Sequence, residues 1–488
     1  MKKNPKKEND LKKDFLLLLP VVLFAIFLRL YFFVGPNMND DIDYIFSAHE
    51  VSEGKFYPIF GGSINAIRSM MTLPVALSFF LFGTNRFTAS IYPLFCSLGT
   101  IVLTYFIGKF LFSRKVGLIS AIILSFLPVD IAFSTQLVPT VPAIFFISAF
   151  FLLFLYAEKY MDLNKKRKAR IFYLLSGIMV GLSYLTNEIP LFLIPLIFLS
   201  YIICKRRFRS YFFIILLGFA LVFLVESSFM FIKTGNFFHR PKVIHDTEVM
   251  IGANTDLNYY PRVMLKITNV SYQTHEGNLG IFIYVLIISS LVLLFKREKN
   301  AYFLILSIVL IMSYFEFGVM TVGFKPIAKW VRYLVVFGPF MSIIIASSIT
   351  KVNNTILQST AIILLFIFSV PYIGGSTKAY YSWTSYIYDT YAFLKTLPEK
   401  PIFTDQGSFG FLEFYFGYKK NIKLLEYANL TDVNDSYVII DGSRGIVEFQ
   451  PMRDALPDFA KNAPSNWRLV KRIEGGIITP KVYYVPKD

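Results

Sequence analysis

Residues 14–44 read DFLLLLPVVLFAIFLRLYFFVGPNMNDDIDY. Positions 15–34 are almost entirely apolar, and about 20 such residues in a helix cross roughly 30 Å of hydrocarbon. Close behind them stands Asn39-Asp40-Asp41-Ile42-Asp43-Tyr44. Ionised groups at the edge of a bilayer are costly unless solvated, paired or bound to metal, so three carboxylates there point to a functional site. Asn39 as a helix cap would explain one or two of them, but three acids in four residues exceed what a cap needs. The apolar run lacks a small-residue cleavage site and passes straight into polar sequence, so it reads as a retained crossing.

The rest of the chain repeats the pattern. The 488 residues are 55% hydrophobic and 17% charged, outside the range of an ordinary soluble domain, and apolar runs near crossing length recur to about residue 373. Cys96 and Cys204 fall in separate apolar runs, which argues against a disulfide scaffold or a Cys-based metal site. The net charge of +17 is distributed by topology. Residues 2–13, 114–115, 159–170, 205–209, 296–299 and 351 hold 22 positive charges, whereas the intervening loops 35–86, 234–278 and 320–329 hold nine. The positive-inside bias puts the first set in the cytoplasm, and the excess is no footprint for nucleic acid.

This alternation predicts an α-helical polytopic membrane protein with eleven crossings: 15–34, 86–112, 115–134, 136–157, 171–187, 189–204, 210–233, 278–295, 301–319, 330–350 and 356–373. A basic cytoplasmic tail (1–14) precedes a membrane body (15–375) with outer loops 35–85 and 234–277. The chain is expected to be multi-pass in the cell membrane, with residues 376–488 outside. Segment 66–83 breaks the alternation if it crosses, and reads as an interfacial or re-entrant helix. Thr186-Asn187-Glu188-Ile189-Pro190 forms an outward hairpin apex. The tail carries 14 Lys+Arg against 13 Asp+Glu and reads as a small α/β domain able to hold its own core. It has a helix over 386–397, strands at 400–404 and 436–441, and a closing hairpin of 468–473 with 477–485 around Gly475-Gly476.

Several stretches, in this order, resemble the GT-C superfamily of membrane glycosyltransferases, in particular protein O-mannosyltransferases and lipid A aminoarabinose transferases. They are Asp40-Asp41-Ile42-Asp43-Tyr44 with Ala48 and Gly54, Leu81-Phe82-Gly83, the run from Tyr105 to Phe112, Leu127-Pro128 with Ser134, the run from Gly181 to Glu188, Lys233-Thr234-Gly235-Asn236, and Arg332-Tyr333 ahead of Pro339. The resemblance covers about residues 15–345. It implies a polyprenyl-phosphate-linked sugar as donor and a protein, lipid or glycan hydroxyl as acceptor. The chain departs from the pattern at Pro139-Thr140, where many relatives carry an acid, and at Asn187, where they often carry Lys. Asp130 is the candidate replacement carboxylate.

Moving a sugar from a lipid phosphate to a hydroxyl needs a base for the proton and cations for the departing phosphate. Asp40 matches the family's catalytic aspartate and implies direct, inverting displacement. Asp41 stands at the second acidic position, to orient the acceptor or, with Asp40, to hold a divalent metal ion such as Mg, Mn or Zn. Asp43 and Tyr44 complete the cluster. Arg68 and Arg332, the latter with Tyr333, lead the phosphate candidates, followed by Arg29, Arg240, Lys325 and Lys329. Glu188 would order the site by pairing with an arginine. The four histidines lie in loops without zinc-ligand spacing. A flippase or transporter for lipid-linked saccharides is the rival class, and a polysaccharide polymerase or ligase is a third. The charges gather on one face, not along a midplane path, which argues against transport.

Overall fold

In a computed structural model, the residues described are 5–37, 40–56, 64–188, 190–205, 208–250, 258–267, 278–317, 329–382, 384–440, 457, 459, 463–474 and 479–487. Helix α1 (Pro5–Tyr31) leads to α2 (Asp40–Ser52) and α3 (Ser69–Phe82). Helices α4 (Arg86–Leu111), α5 (Arg114–Ser125), α6 (Pro128–Phe133), α7 (Thr140–Asp162), α8 (Lys166–Thr186), α9 (Pro190–Lys205) and α10 (Phe213–Thr234) follow. Two short helices, α11 (His239–Met250) and α12 (Tyr259–Leu265), precede α13 (Phe282–Phe295), α14 (Lys299–Phe317), α15 (Gly338–Ile349) and α16 (Thr355–Tyr381). The tail contributes α17 (Ser385–Leu394), β1 (Ile402–Thr404), α18 (Gln406–Tyr415), β2 (Ile422–Leu424), β3 (Ser436–Ile440), β4 (Arg468–Arg472) and β5 (Lys481–Val485).

Eight helical segments among the described residues are long and apolar enough to cross a membrane, and each corresponds to an expected crossing. The crossings at 189–204 and 278–295 are the shorter apolar helices α9 and α13. The expected crossing at 115–134 is broken. Leu127 is extended (ψ 120°) and Pro128 opens α6, because proline supplies no N–H to a preceding turn and disfavours helical backbone in the residue before it. Segment 66–83 is helix α3, which packs against α2, α4 and α8. Its 14 residues span about 21 Å, short of the hydrocarbon thickness.

The bundle closes tightly where side chains are absent. Gly177 on α8 faces Gly218 on α10 so closely that a Cβ on Gly177 would lie 2.1 Å from the Ile215 carbonyl oxygen, and one on Gly218 2.3 Å from that of Leu174. Small residues let membrane helices approach in this way. Contacts sort the loops into two ends. At one, Asp14 pairs with Lys109 and Arg114, Arg209 with Asp162 and Glu158, and Lys351 with Glu298, from segments read as cytoplasmic or from the helix ends that adjoin them. At the other lie the acidic loop, the 187–188 apex and the tail domain.

The tail is a five-stranded sheet of order β2-β1-β3-β5-β4, parallel across β2, β1 and β3 and antiparallel across β3, β5 and β4. The expected hairpin is the β4–β5 pair, its glycines lying outside the described residues. The tail's core is only partly its own. One set of buried residues, including Phe403, Val438 and Trp467, belongs to the tail alone. The other joins Phe411, Leu412, Phe414 and Ile439 to Tyr44 and Ile45 of α2 and Met71 and Val75 of α3. Helix α16 also continues beyond the expected end at 373 as far as Tyr381, so membrane body and tail are linked by unbroken helix.

Candidate active site

Helix α2 begins at the acidic cluster, with Asp40, Asp41 and Asp43 in its first turn, where the positive end of the helix dipole favours them. Asn39, the expected cap, lies outside the described residues. The three acids have different surroundings. Asp41 is buried (4% exposed), and its Oδ2 accepts the backbone N–H groups of Asn37 (2.8 Å) and Leu137 (3.1 Å). It therefore ties the entry of α2 to the irregular segment after α6. The neighbouring backbone of Val34 and Gly35 donates to Thr135 Oγ1 (3.2 and 3.1 Å), which strengthens the same tie. Burial pushes the Asp41 carboxyl up to about 7, against those two N–H donors.

Asp40 faces outward from this tie. Its Oδ2 accepts from Arg332 Nη1 (3.0 Å) and its Oδ1 from Asn65 Nδ2 (3.2 Å), and its side chain is 31% exposed. Burial works against its charge, but the Arg332 guanidinium, helped by that of Arg68, holds the carboxyl below its ordinary value. Asp43 accepts from the same Asn65 Nδ2 (3.1 Å), and burial raises its carboxyl. Asn65 is the residue that sequence reasoning missed. Its amide hydrogens bridge Asp40 and Asp43, while its Oδ1 accepts from Tyr44 Oη (3.1 Å) and Arg68 Nη1 (3.2 Å), which uses its full hydrogen-bonding capacity. Its only sequence signal is its place three residues before Arg68 in the acidic loop.

Behind this layer runs a chain of alternating charges. Arg68 donates from Nη1 to Tyr44 Oη (2.8 Å) and from Nη2 to Glu188 Oε2 (2.8 Å). Arg240 reaches Glu188 (3.2 Å), Glu226 (3.1 Å) and the backbone carbonyls of Ile67 and Tyr184. Burial alone would raise the Glu188 carboxyl, yet Arg68 and Arg240 hold it below its ordinary range. Glu188 thus sits at the hairpin apex and pairs with arginine as expected, and Glu226 is a second partner that the sequence did not single out.

Several phosphate candidates are already engaged elsewhere. Arg29 is fully buried and forms an ion pair with Asp130, which also accepts from Ser97 (3.0 Å). Asp130 is therefore engaged by Arg29 and Ser97 rather than standing as a spare carboxylate in the cluster, because the broken crossing turns it into the core. Lys329 is buried on Glu316 (2.7 Å), and Arg240 is 1% exposed. Lys325 lies outside the described residues. Arg332 stays partly open, with its guanidinium 5.2 Å from the Trp330 ring centroid. The Tyr333 ring stacks on Phe315, 5.3 Å between centroids.

The two carboxylates proposed for a metal ion have different partners. One Asp41 oxygen takes two backbone N–H groups, and one Asp40 oxygen takes a guanidinium. No group of three or more His, Cys, Asp or Glu suited to a metal occurs among the described residues. His49 instead stacks on Tyr418 (4.0 Å), and His245 meets Asp246 (3.3 Å).

The arrangement as a whole matches solved structures. ArnT from Cupriavidus metallidurans bound to undecaprenyl phosphate superposes with a TM-score of 0.62 over 95% of this chain and 97% of its own, at 11% sequence identity. This is a GT-C fold. The oligosaccharyltransferase of Archaeoglobus fulgidus in complex with Zn and sulfate shares the GT-C fold at a TM-score of 0.51 and 12% identity, over 96% of this chain and 73% of its own. The archaeal oligosaccharyltransferase AglB from Archaeoglobus fulgidus, with an inhibitory peptide and a dolichol-phosphate, gives 0.52 at 10% identity over 84% of this chain and 64% of its own. Residues 70–231, about a third of the chain, match the family described as dolichyl-phosphate-mannose-protein mannosyltransferase. That segment covers α3 to α10, the part of the GT-C fold that carries Glu188 and Glu226. No curated protein matches the sequence.

Proposed function

We propose that this chain is a membrane glycosyltransferase that moves a sugar from a polyprenyl-phosphate donor to an acceptor hydroxyl at the extracytoplasmic face. The observation that carries this reading is the Asp40–Arg332 pair. It is a half-open carboxylate held ionised by a cation, at the end of the bundle where three outer loops meet. In the donors, the departing group is an anionic phosphate. The acceptor oxygen attacks the anomeric carbon, the bond from that carbon to the phosphate oxygen breaks with its electrons on the phosphate, and the hydroxyl proton passes to Asp40. A single displacement inverts the anomeric centre.

The pairing also suggests an order of events. As negative charge grows on the leaving phosphate, Arg332 turns toward it, and Asp40 loses the cation that lowered its basicity. The proton acceptor thus strengthens as the bond breaks. Asp41 holds the loop that carries Asp40, and the Arg68–Glu188–Arg240 chain fixes its rear wall. Asp40 and Asp41 are the carboxylates that would hold a divalent ion through oxygen ligands, while Asn65 Nδ2 donates to both Asp40 and Asp43.

The reading is tested with purified protein and a radiolabelled polyprenyl-phosphate sugar, following label release from the lipid and its appearance on acceptor. Asp40→Asn is expected to reduce transfer by about 10²–10⁴-fold with an unchanged melting profile. Full transfer by a folded Asp40→Asn protein would remove the mechanism. Donor movement between leaflets without label transfer would favour a flippase.

A further inference from the structure

A cleft among the described residues lies apart from the Asp40 site. It lies in the tail domain between α17, the end of α18 and the start of β1, and encloses about 290 Å³. This is close to the lower limit of small-ligand pockets. One wall is aromatic: the Tyr391 ring lies 4.9 Å from Phe416 and 5.5 Å from Tyr415. The rim carries Lys395, Lys400 and Lys420 against the single carboxylate Glu399, in a domain whose charges otherwise nearly cancel.

These lysines are not equally engaged. Lys420 pairs with Glu399, and Lys400 with Asp435 while also reaching the Tyr484 hydroxyl. Lys395 makes no ion pair among the described residues. It is exposed, with its ammonium 5.5 Å from the centroid of Tyr391. An aromatic wall accepts the C–H face of a pyranose ring, hiding apolar area while the hydroxyls stay at the wet rim. Lysine supplies a mobile point charge that meets an acidic group without fixed fork geometry. The wall also continues toward the acidic loop. Tyr415 contacts Tyr388 (5.5 Å), Tyr388 lies against Arg86 (5.2 Å), and Arg86 donates to the carbonyl of Val34.

We propose that this cleft is a binding site for an anionic saccharide, one pyranose ring bearing a carboxylate or phosphate. It is separate from the Asp40 site and stands whether or not Asp40 acts as a base. The test is calorimetric titration of the full chain in detergent with digalacturonate, glucose 6-phosphate, maltose and inorganic phosphate. At least one acidic sugar is expected to bind at least tenfold more tightly than maltose and than inorganic phosphate, and the tighter of the two names the acid. Lys395→Gln, an exposed change that leaves melting unaltered, is expected to weaken acidic sugars at least fivefold and leave maltose unmoved. Tyr391→Leu should weaken every sugar. The proposal is overturned if neither acidic sugar binds tenfold more tightly than both maltose and inorganic phosphate, if no sugar binds, or if Lys395→Gln leaves the affinities unchanged.

Discussion

At the scale of single residues, three adjacent acids have been given different work by their partners, and each difference can be measured. The Arg332 guanidinium holds the Asp40 carboxyl below its ordinary value, so, if Asp40 is the base, Arg332→Gln is expected to move the acid limb of the transfer rate to higher pH. A pH–rate profile of the residual activity checks this, and an unmoved limb would disconnect the pair from catalysis. Asp41 behaves in the opposite sense. Burial in the folded chain pushes the carboxyl up to about 7, whereas the unfolded chain releases the proton near the ordinary 3.8. Between those limits the unfolded state binds fewer protons, so Asp41 makes stability fall as pH rises, by up to roughly 4 kcal/mol. Asp41→Asn keeps an oxygen for the two N–H donors and is expected to flatten that slope, as read from melting temperatures at pH 5 and pH 8. The sequence set these carboxylates apart as a group, and family resemblance alone told Asp40 from Asp41 and Asp43. Their different surroundings were not legible, because they come from Asn65, Leu137 and Arg332, which are 25, 96 and 292 positions from their partners.

Among elements, what was legible followed from local chemistry. Apolar length marked the long helices, and the basic loops correctly demanded two helices between 171 and 204, which are α8 and the shorter α9. The broken crossing at Leu127–Pro128 was also written locally, in one proline. Its consequence was not legible, since only the folded chain shows that the break delivers the Leu137 N–H to Asp41 and buries Asp130 on Arg29. The α8–α10 contact was likewise invisible, because a glycine reports close approach only when its neighbour is known. Gly177→Ala is expected to destabilise the protein by about 1–3 kcal/mol through overpacking against backbone. Gly374→Ala on α16, where a Cβ meets nothing within 4 Å, should be neutral or slightly stabilising. Thermal unfolding of the two variants side by side checks the contrast.

For the whole molecule, the loops group at two ends, and the proposed orientation of those ends can be tested without activity. Lys55→Cys, beside the acidic loop, should react with a membrane-impermeant maleimide in intact cells, and Asn353→Cys only after permeabilisation. Labelling of both from outside would refute the proposed orientation. The tail, read from sequence as a self-sufficient domain, proves to share its core with α2 and α3. Ending the chain after Tyr381 is therefore expected to abolish transfer and lower the melting temperature of the remaining bundle, beyond any loss of acceptor choice. That shared core also sets a clock on synthesis. Tyr44 and Ile45 emerge early from the ribosome but belong to a buried cluster that also includes Val482. The loop that carries Asp40 is thus packed only after the sheet of the tail has been made, however early its own residues leave the ribosome.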